Sequence, residues 1–234
     1  MMEFVHVAVA VLGLLSFGHS APVTSCENLI QPCEIHGNQL VGKWTQIAAS
    51  TGIPGFKMLM KMLVVSAWMN TTAATEANTF NNLYIQKMMD KCFALKTNMT
   101  LVNNTLTVEL PFQASAVLLN TGCPDCLVIF SNNTVGRTTS KLNLLSRRTK
   151  VSAAELEEFT KQAECLNLQP PAIMDSEKGF CPDPALSPGT KTIDLTLSSI
   201  TPDDLNPFEK LFTESGMKTI LDMVQTSVDL FKED

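Results

Sequence analysis

The stretch Leu40-Val41-Gly42-Lys43-Trp44-Thr45-Gln46-Ile47-Ala48-Ala49-Ser50 decides how this chain is read. Lys43 to Ala48 alternates in the manner of a strand with one face in a core. Thr51-Gly52-Ile53-Pro54-Gly55 follows at once and reads as a loop, because Gly and Pro punctuate regular structure. Further candidate strands run over residues 64–72, 79–88, 92–101, 106–112, 114–120, 127–131 and 142–146. Thr105-Leu106-Thr107-Val108-Glu109-Leu110 has the clearest period of two, and Asn103-Asn104 and Asn132-Asn133 mark turns. About eight strands with no helix between them predict an antiparallel sandwich or barrel. Met58 to Leu63 reads instead as a helical turn in a long first loop.

After residue 150 the period changes. Ser152-Ala153-Ala154-Glu155 is a capping box, and Leu156, Phe159, Thr160, Ala163 and Leu166 follow at helical spacing. One apolar face predicts a helix packed on the outside of the sheet. Residues 169–206 are rich in Pro, Ser and Asp and read as an irregular connection. Asn206-Pro207 then caps a stripe of Phe208, Leu211, Phe212, Ile220, Val224, Val228 and Phe231, interrupted at Ser215-Gly216.

Phe4 to Phe17 is an apolar run of signal-peptide length, too short to span a bilayer, and Gly18-His19-Ser20 offers a cleavage site before Ala21. No other uncharged run approaches the length of a membrane span, so a secreted, extracellular protein is expected. The domains are then 1–20 signal peptide, 21–186 barrel plus helix, and 187–234 acidic extension. Of three histidines only His36 would survive cleavage, which disfavours His-based catalysis. No phosphate loop, GxGxxG, GxSxG or HExxH is present, so no enzyme activity and no cofactor or metal is expected. The sequons at Asn70, Asn98, Asn103 and Asn132 predict glycosylation.

The formal net charge of −6 hides a division. Residues 40–150 carry a net +7, whereas residues 151–234 carry −10. Two solvated faces are one reading, and an acidic tail docked on a basic barrel is the other. No block of basic residues marks a nucleic-acid site.

Gly42-Lys43-Trp44, just inside the mature N-terminus and ahead of about eight strands and a helix, resembles the Gly-x-Trp signature of lipocalins. That resemblance implies an eight-stranded antiparallel up-and-down barrel with a packed C-terminal α-helix, here followed by an extra acidic helical tail. It also implies an arginine stacked on Trp44 at the closed end, with Arg148, or its neighbour Arg147, in that place. Ser25-Cys26-Glu27-Asn28-Leu29, Cys92-Phe93, Glu158-Phe159 and Cys165-Leu166 are similar to the branch that holds alpha-1-acid glycoprotein, apolipoprotein M and the fish tributyltin-, saxitoxin- and tetrodotoxin-binding proteins. The Thr-Asp-x-x-Tyr loop motif of typical lipocalins is missing around residues 131–141, and the likeness covers roughly residues 25–184.

Seven cysteines cannot all pair internally. The resemblance implies Cys26–Cys165 and Cys92–Cys181. Cys123-Pro124-Asp125-Cys126 has redox spacing without a thioredoxin-like context, so a local disulfide is the favoured reading, with a bridge from Cys33 to either as the alternative.

A barrel of this size encloses one small ligand. Trp68, Tyr84, Phe93 and Phe112 are the aromatic candidates for its cavity wall, and Lys87, Lys91 and Lys96 for an anionic head group. Three functions compete. The first is a carrier of a small hydrophobic or amphipathic molecule (lipid, steroid, drug or toxin). The second is a lipoprotein or protein partner bound through the C-terminal helix, and the third is a thiol enzyme using Cys33.

Overall fold

The computed structural model describes residues 25–88, 91–108, 113–135, 137–186 and 190–196. The signal-peptide segment, the C-terminal amphipathic stripe and Phe112 lie outside the described residues.

The Gly42 stretch forms strand β1, Gly42–Thr51. It is followed by β2 (Val64–Ala73), β3 (Thr79–Met88), β4 (Lys91–Val102), β5 (Thr105–Val108), β6 (Gln113–Leu119), β7 (Cys126–Val135) and β8 (Arg137–Ser146). Each pairs antiparallel with the next, and β1 also pairs with β8, so the sheet closes into an eight-stranded barrel. The β4–β5 turn is built by Asn103 and Asn104 at φ +47° and +62°. Asparagine tolerates that left-handed region, and two such residues match the twist of a tight hairpin.

Among the described residues four α-helices accompany the barrel: α1 (Cys26–Leu29), α2 (Gly37–Leu40), α3 (Phe56–Leu63) and α4 (Ala153–Cys165). Helix α3 contains the helical turn expected at residues 58–63 and lies between β1 and β2. Helix α4 starts at the expected capping box. Ser152 Oγ accepts from Glu155 N at 3.3 Å, and the Glu155 carboxylate accepts from Ser152 N at 2.6 Å. No helix among the described residues is long and apolar enough to cross a membrane.

The connection after residue 169 is more ordered than its composition suggests. It carries β9 (Ala172–Ile173) and β10 (Lys191–Asp194). The β1–β2 ladder runs only from Gly42 to Gln46, so Ala48 and Ala49 pair with β9 instead. Likewise β5 meets β4 only over Thr100–Val102, and β10 runs parallel along Phe93–Lys96. Strands of two and four residues show no alternation, and only an open edge elsewhere in the sheet calls them into being.

The barrel sorts side chains to two faces. Outside, Phe159 and Ala163 of α4 pack on Leu142, Leu144, Val128 and Ile47. Gln162 ties the helix to two loops, its amide donating to Leu29 O at 2.9 Å and Asn120 O at 2.7 Å. Inside, Trp44, Met69, Phe80, Leu106, Leu118, Leu127 and Leu145 form a second cluster. The strands alternate between these clusters, as a half-buried pleat must. Disulfides join Cys26 to Cys165, Cys92 to Cys181 and Cys123 to Cys126. Cys33 is the free cysteine among the described residues.

Candidate ligand-binding cavity

One end of the barrel is shut by Trp44, which is 4% exposed and donates its indole N–H to Leu40 O at 2.9 Å. The arginine stacked on its ring is Arg147, at 3.5 Å from the centroid, which corrects the expectation for Arg148. Arg147 donates to the carbonyls of Val41 (2.7 Å), Lys43 (2.8 Å) and Gln39 (3.3 Å). Successive residues point to opposite sides, so Arg148 turns away from Trp44. It pairs with Asp125 at 2.7 Å and Glu155 at 2.8 Å, and those carboxylates raise its pKa. Hydrogen bonds from Arg148 and the Ser152 backbone in turn pull Glu155 down to about 2.

Gly42 is required at this plug. Its φ is +104°, and a Cβ there would lie 2.9 Å from Arg147 Nη1. Arg147→Ala is therefore expected to cost about 1–2 kcal/mol, the range of a shielded cation–π contact. Arg148→Ala should cost less, because the Arg148 guanidinium is itself open to solvent, which weakens its pairs with Asp125 and Glu155. Urea unfolding of both variants checks the order, and equal losses would contradict it.

Above the plug the inner wall becomes polar. The Tyr84 hydroxyl donates to Gln46 Oε1, and Gln46 Nε2 donates to Asn143 Oδ1 at 3.2 Å. Burial pushes the Tyr84 phenol up, so it stays protonated and serves as a donor. Lys141 follows on the same face of β8 as Asn143, and burial pushes its ammonium down.

A cavity of about 150 Å³ opens beside this wall, lined chiefly by Leu40, Met69, Met99, Leu106, Ala116 and Ile129, with Thr71 and Asn82 as polar members. A wider cleft of about 420 Å³ lies outside the barrel among Lys61, Val65, Ile173, Asp175 and Lys178. Of these two, the inner space combines enclosure with an apolar lining, the usual form of a small-molecule site.

The candidate aromatic residues divide. Tyr84 stands on the inner face, beside the Trp44 cluster. Phe93 lies on the same face of β4, since its neighbours Cys92 and Ala94 belong to the outer cluster. Trp68 does not line the cavity. It packs outside with Ile85, Ala94 and Cys181, donates its indole N–H to Cys181 O at 2.8 Å, and has Lys43 Nζ over its ring at 4.1 Å. The reason is parity: Met69 takes the inner position of β2, so Trp68 must face out.

Of the lysines proposed for a head group, Lys87 and Lys96 face away from the lumen, whereas Lys91 shares the face of β4 that carries Phe93. Lys96 pairs with Asp194 at 3.5 Å, Lys87 donates to Lys178 O at 3.0 Å, and Lys91 is exposed. Sequence reasoning passed over Gln46, Lys141 and Asn143. Their signal was present in Ser140-Lys141-Leu142-Asn143-Leu144-Leu145, where polar residues alternate with leucines.

Cys33 is half-buried, and desolvation pushes its thiol up, the wrong direction for a nucleophile. Cys123, Asp125 and Cys126 lie close together, but both sulfurs belong to the disulfide and offer no thiolate to a metal. Asn98, Asn103 and Asn132 are exposed, and Asn70 is half-buried on the outer face of β2.

A closed eight-stranded barrel with an apolar lumen and one helix on its flank is the lipocalin fold. No protein-family model and no curated protein matches the sequence. Solved lipocalin structures do match. The siderocalin Ex-FABP, described as functioning through dual ligand specificities, aligns with TM-score 0.52 at 20% identity, over 58% of this chain and 93% of its own. The bovine lipocalin allergen Bos d 2 aligns with TM-score 0.51 at 14% identity, over 64% of this chain and 100% of its own.

Proposed function

We propose that this chain is a secreted, glycosylated carrier that holds one small hydrophobic or amphipathic molecule inside its barrel and performs no chemistry on it. The observation that carries this reading is the enclosed cavity of about 150 Å³ between Met69, Met99, Leu106 and Ile129. The lipocalin fold supports it, as does the description of the siderocalin as working through dual ligand specificities. Three disulfides accord with an oxidising compartment, which supports secretion together with the apolar N-terminal run. Four sequons on exposed or outer-face positions leave room for glycans.

The cavity is smaller than the roughly 300–1,000 Å³ of pockets for drug-sized ligands. Met69 and Met99 can yield space, because an unbranched thioether repacks with little strain. Membership of the alpha-1-acid glycoprotein and apolipoprotein M branch belongs to the same proposal and rests on Ser25–Leu29, Cys92-Phe93 and the helix residues Glu158, Phe159 and Cys165.

Equilibrium dialysis against a fatty acid, a retinoid and a steroid tests the carrier reading. Saturable one-to-one uptake of at least one is expected, and no uptake of any would sink it. Ala116→Phe fills the cavity from its wall and is expected to weaken uptake about tenfold or more while the fold persists. Unchanged uptake in that variant would place the ligand elsewhere.

A further inference from the structure

The C-terminal extension enters the barrel wall through β10. Four ladders set Trp44, Met69, Tyr84, Leu95 and Ile193 across from one another in a single row. Cross-strand partners face the same side of a sheet, so Ile193 stands on the lumen face with Tyr84 and Leu95. Thr192 and Asp194 then face outwards, and Lys96 Nζ lies 3.5 Å from Asp194 Oδ2 on that outer side. A segment beyond the barrel and its helix thereby supplies part of the inner wall.

This stave is weakly held. Strand β3 pairs with β4 along its whole length, Thr79–Met88. Strand β10 has four residues, runs parallel, and among the described residues pairs with β4 alone. Parallel pairing is the less stable kind, and the Lys96–Asp194 pair is open to water, which screens it. Leu195, 4% exposed, and its N–H bond to Lys96 O at 3.0 Å add further hold. Elements with so few neighbours open at a small fraction of the global unfolding free energy. The root of the stave is fixed, because Cys181 is bonded to Cys92, next to the first pairing residue Phe93. Release of β10 is therefore a swing about Cys181, and the tether keeps the strand close enough to return.

The seam that β10 guards adjoins the cavity. Thr97, Asn98 and Met99 lie between the stretch of β4 paired with β10 and the stretch paired with β5. Met99 lines the cavity on one side of this seam, and Leu106 and Val108 of β5 line it on the other. With β10 swung away, the unpaired edge of β4 extends from Met99 back to Phe93 and bares the lumen face at Leu95.

We propose that β10 is a hinged side gate: it swings from β4 about the Cys92–Cys181 bond, and ligand enters and leaves the cavity through the seam between β4 and β5. This inference rests on the carrier reading and names the route to the same site.

Amide hydrogen exchange of the whole protein tests the swing without any ligand. Residues 191–196 are expected to exchange about a hundredfold faster than Thr79–Met88 under native conditions. Equal protection of the two would overturn the gate, whatever the barrel carries. Stopped-flow release of retinol and of dansyl-undecanoic acid tests the passage. Asp194→Lys and Lys96→Asp each set like charges across the pairing. Each is expected to speed release about three- to fivefold while equilibrium affinity stays within about twofold. Combining the two restores an opposite pair and should return the rate to that of the wild type. Unchanged release in the single variants would send the ligand out by another opening and overturn the gate. Faster release that the double variant does not restore would also overturn it, because the strand pairing would not be what sets the rate. If neither probe nor any member of the dialysis panel is taken up, the carrier reading itself fails and the gate falls with it.

Discussion

A chain carrying Cys26→Ser together with Cys165→Ser is expected to lose about 5 kcal/mol of stability, enough to unfold many domains of this size. The bond closes a loop of 139 residues, so its absence frees nearly the whole described chain in the unfolded ensemble. In the folded state it fastens α1, a helix of four residues with no buried side chain, to the C-terminus of α4. A helix that short has no stability of its own, so the covalent tie and the Gln162 bond to Leu29 O hold it in place. Removing both cysteines together avoids a lone thiol that could exchange with Cys33. Urea unfolding followed by circular dichroism reads the loss. A change below about 1 kcal/mol would mean that the unfolded chain is restrained by other means.

Trp44→Ala is expected to cost about 3–5 kcal/mol, the range for a buried large aromatic. Three separate interactions end with the ring. The inner cluster of Met69, Leu127 and Leu145 loses its floor. The indole N–H no longer ties α2 through Leu40 O, and Arg147 is left over a void. Trp44→Phe restores most of the packing and should cost markedly less, since it forfeits chiefly the N–H bond. Thermal unfolding of the two variants separates packing from hydrogen bonding. Similar losses in both would assign the plug's strength to the Leu40 tie rather than to the ring.

Much of the architecture was legible because it repeats. Eight stretches of strand-like residues and a capping box describe an antiparallel sandwich or barrel with one helix, and Asn103-Asn104 marks a turn, whereas Asn132-Asn133 lies inside β7 and not at the turn its composition suggested. The Gly42 and Trp44 plug was legible for a related reason: a left-handed glycine two residues before a tryptophan serves one local geometry. The choice between Arg147 and Arg148 was not, since adjacent arginines differ only in which side of the chain they face.

The cavity wall was harder for the same physical reason. An alternating strand states that two faces exist, but not which of them is inside. In β2 that ambiguity exchanged Trp68 for Met69. In β8 it concealed Lys141 and Asn143 among leucines that pack under α4. The short strands β9 and β10 were invisible because pairing partners far away in the chain, Ala48 and Ala49 for β9 and Phe93–Lys96 for β10, make them strands, not local preference.

Local periodicity, turn chemistry and the Gly-x-Trp motif thus sufficed for the class of fold, because each acts within a few residues. Which side chains face the lumen depends on closure of β1 onto β8 and β4 onto β5, a condition that spans the barrel. Only that closure joins Tyr84, Gln46 and Asn143 in one hydrogen-bonded row and encloses the cavity between Met69, Met99, Leu106 and Ile129, and so only the tertiary structure turns a barrel into a candidate binding site.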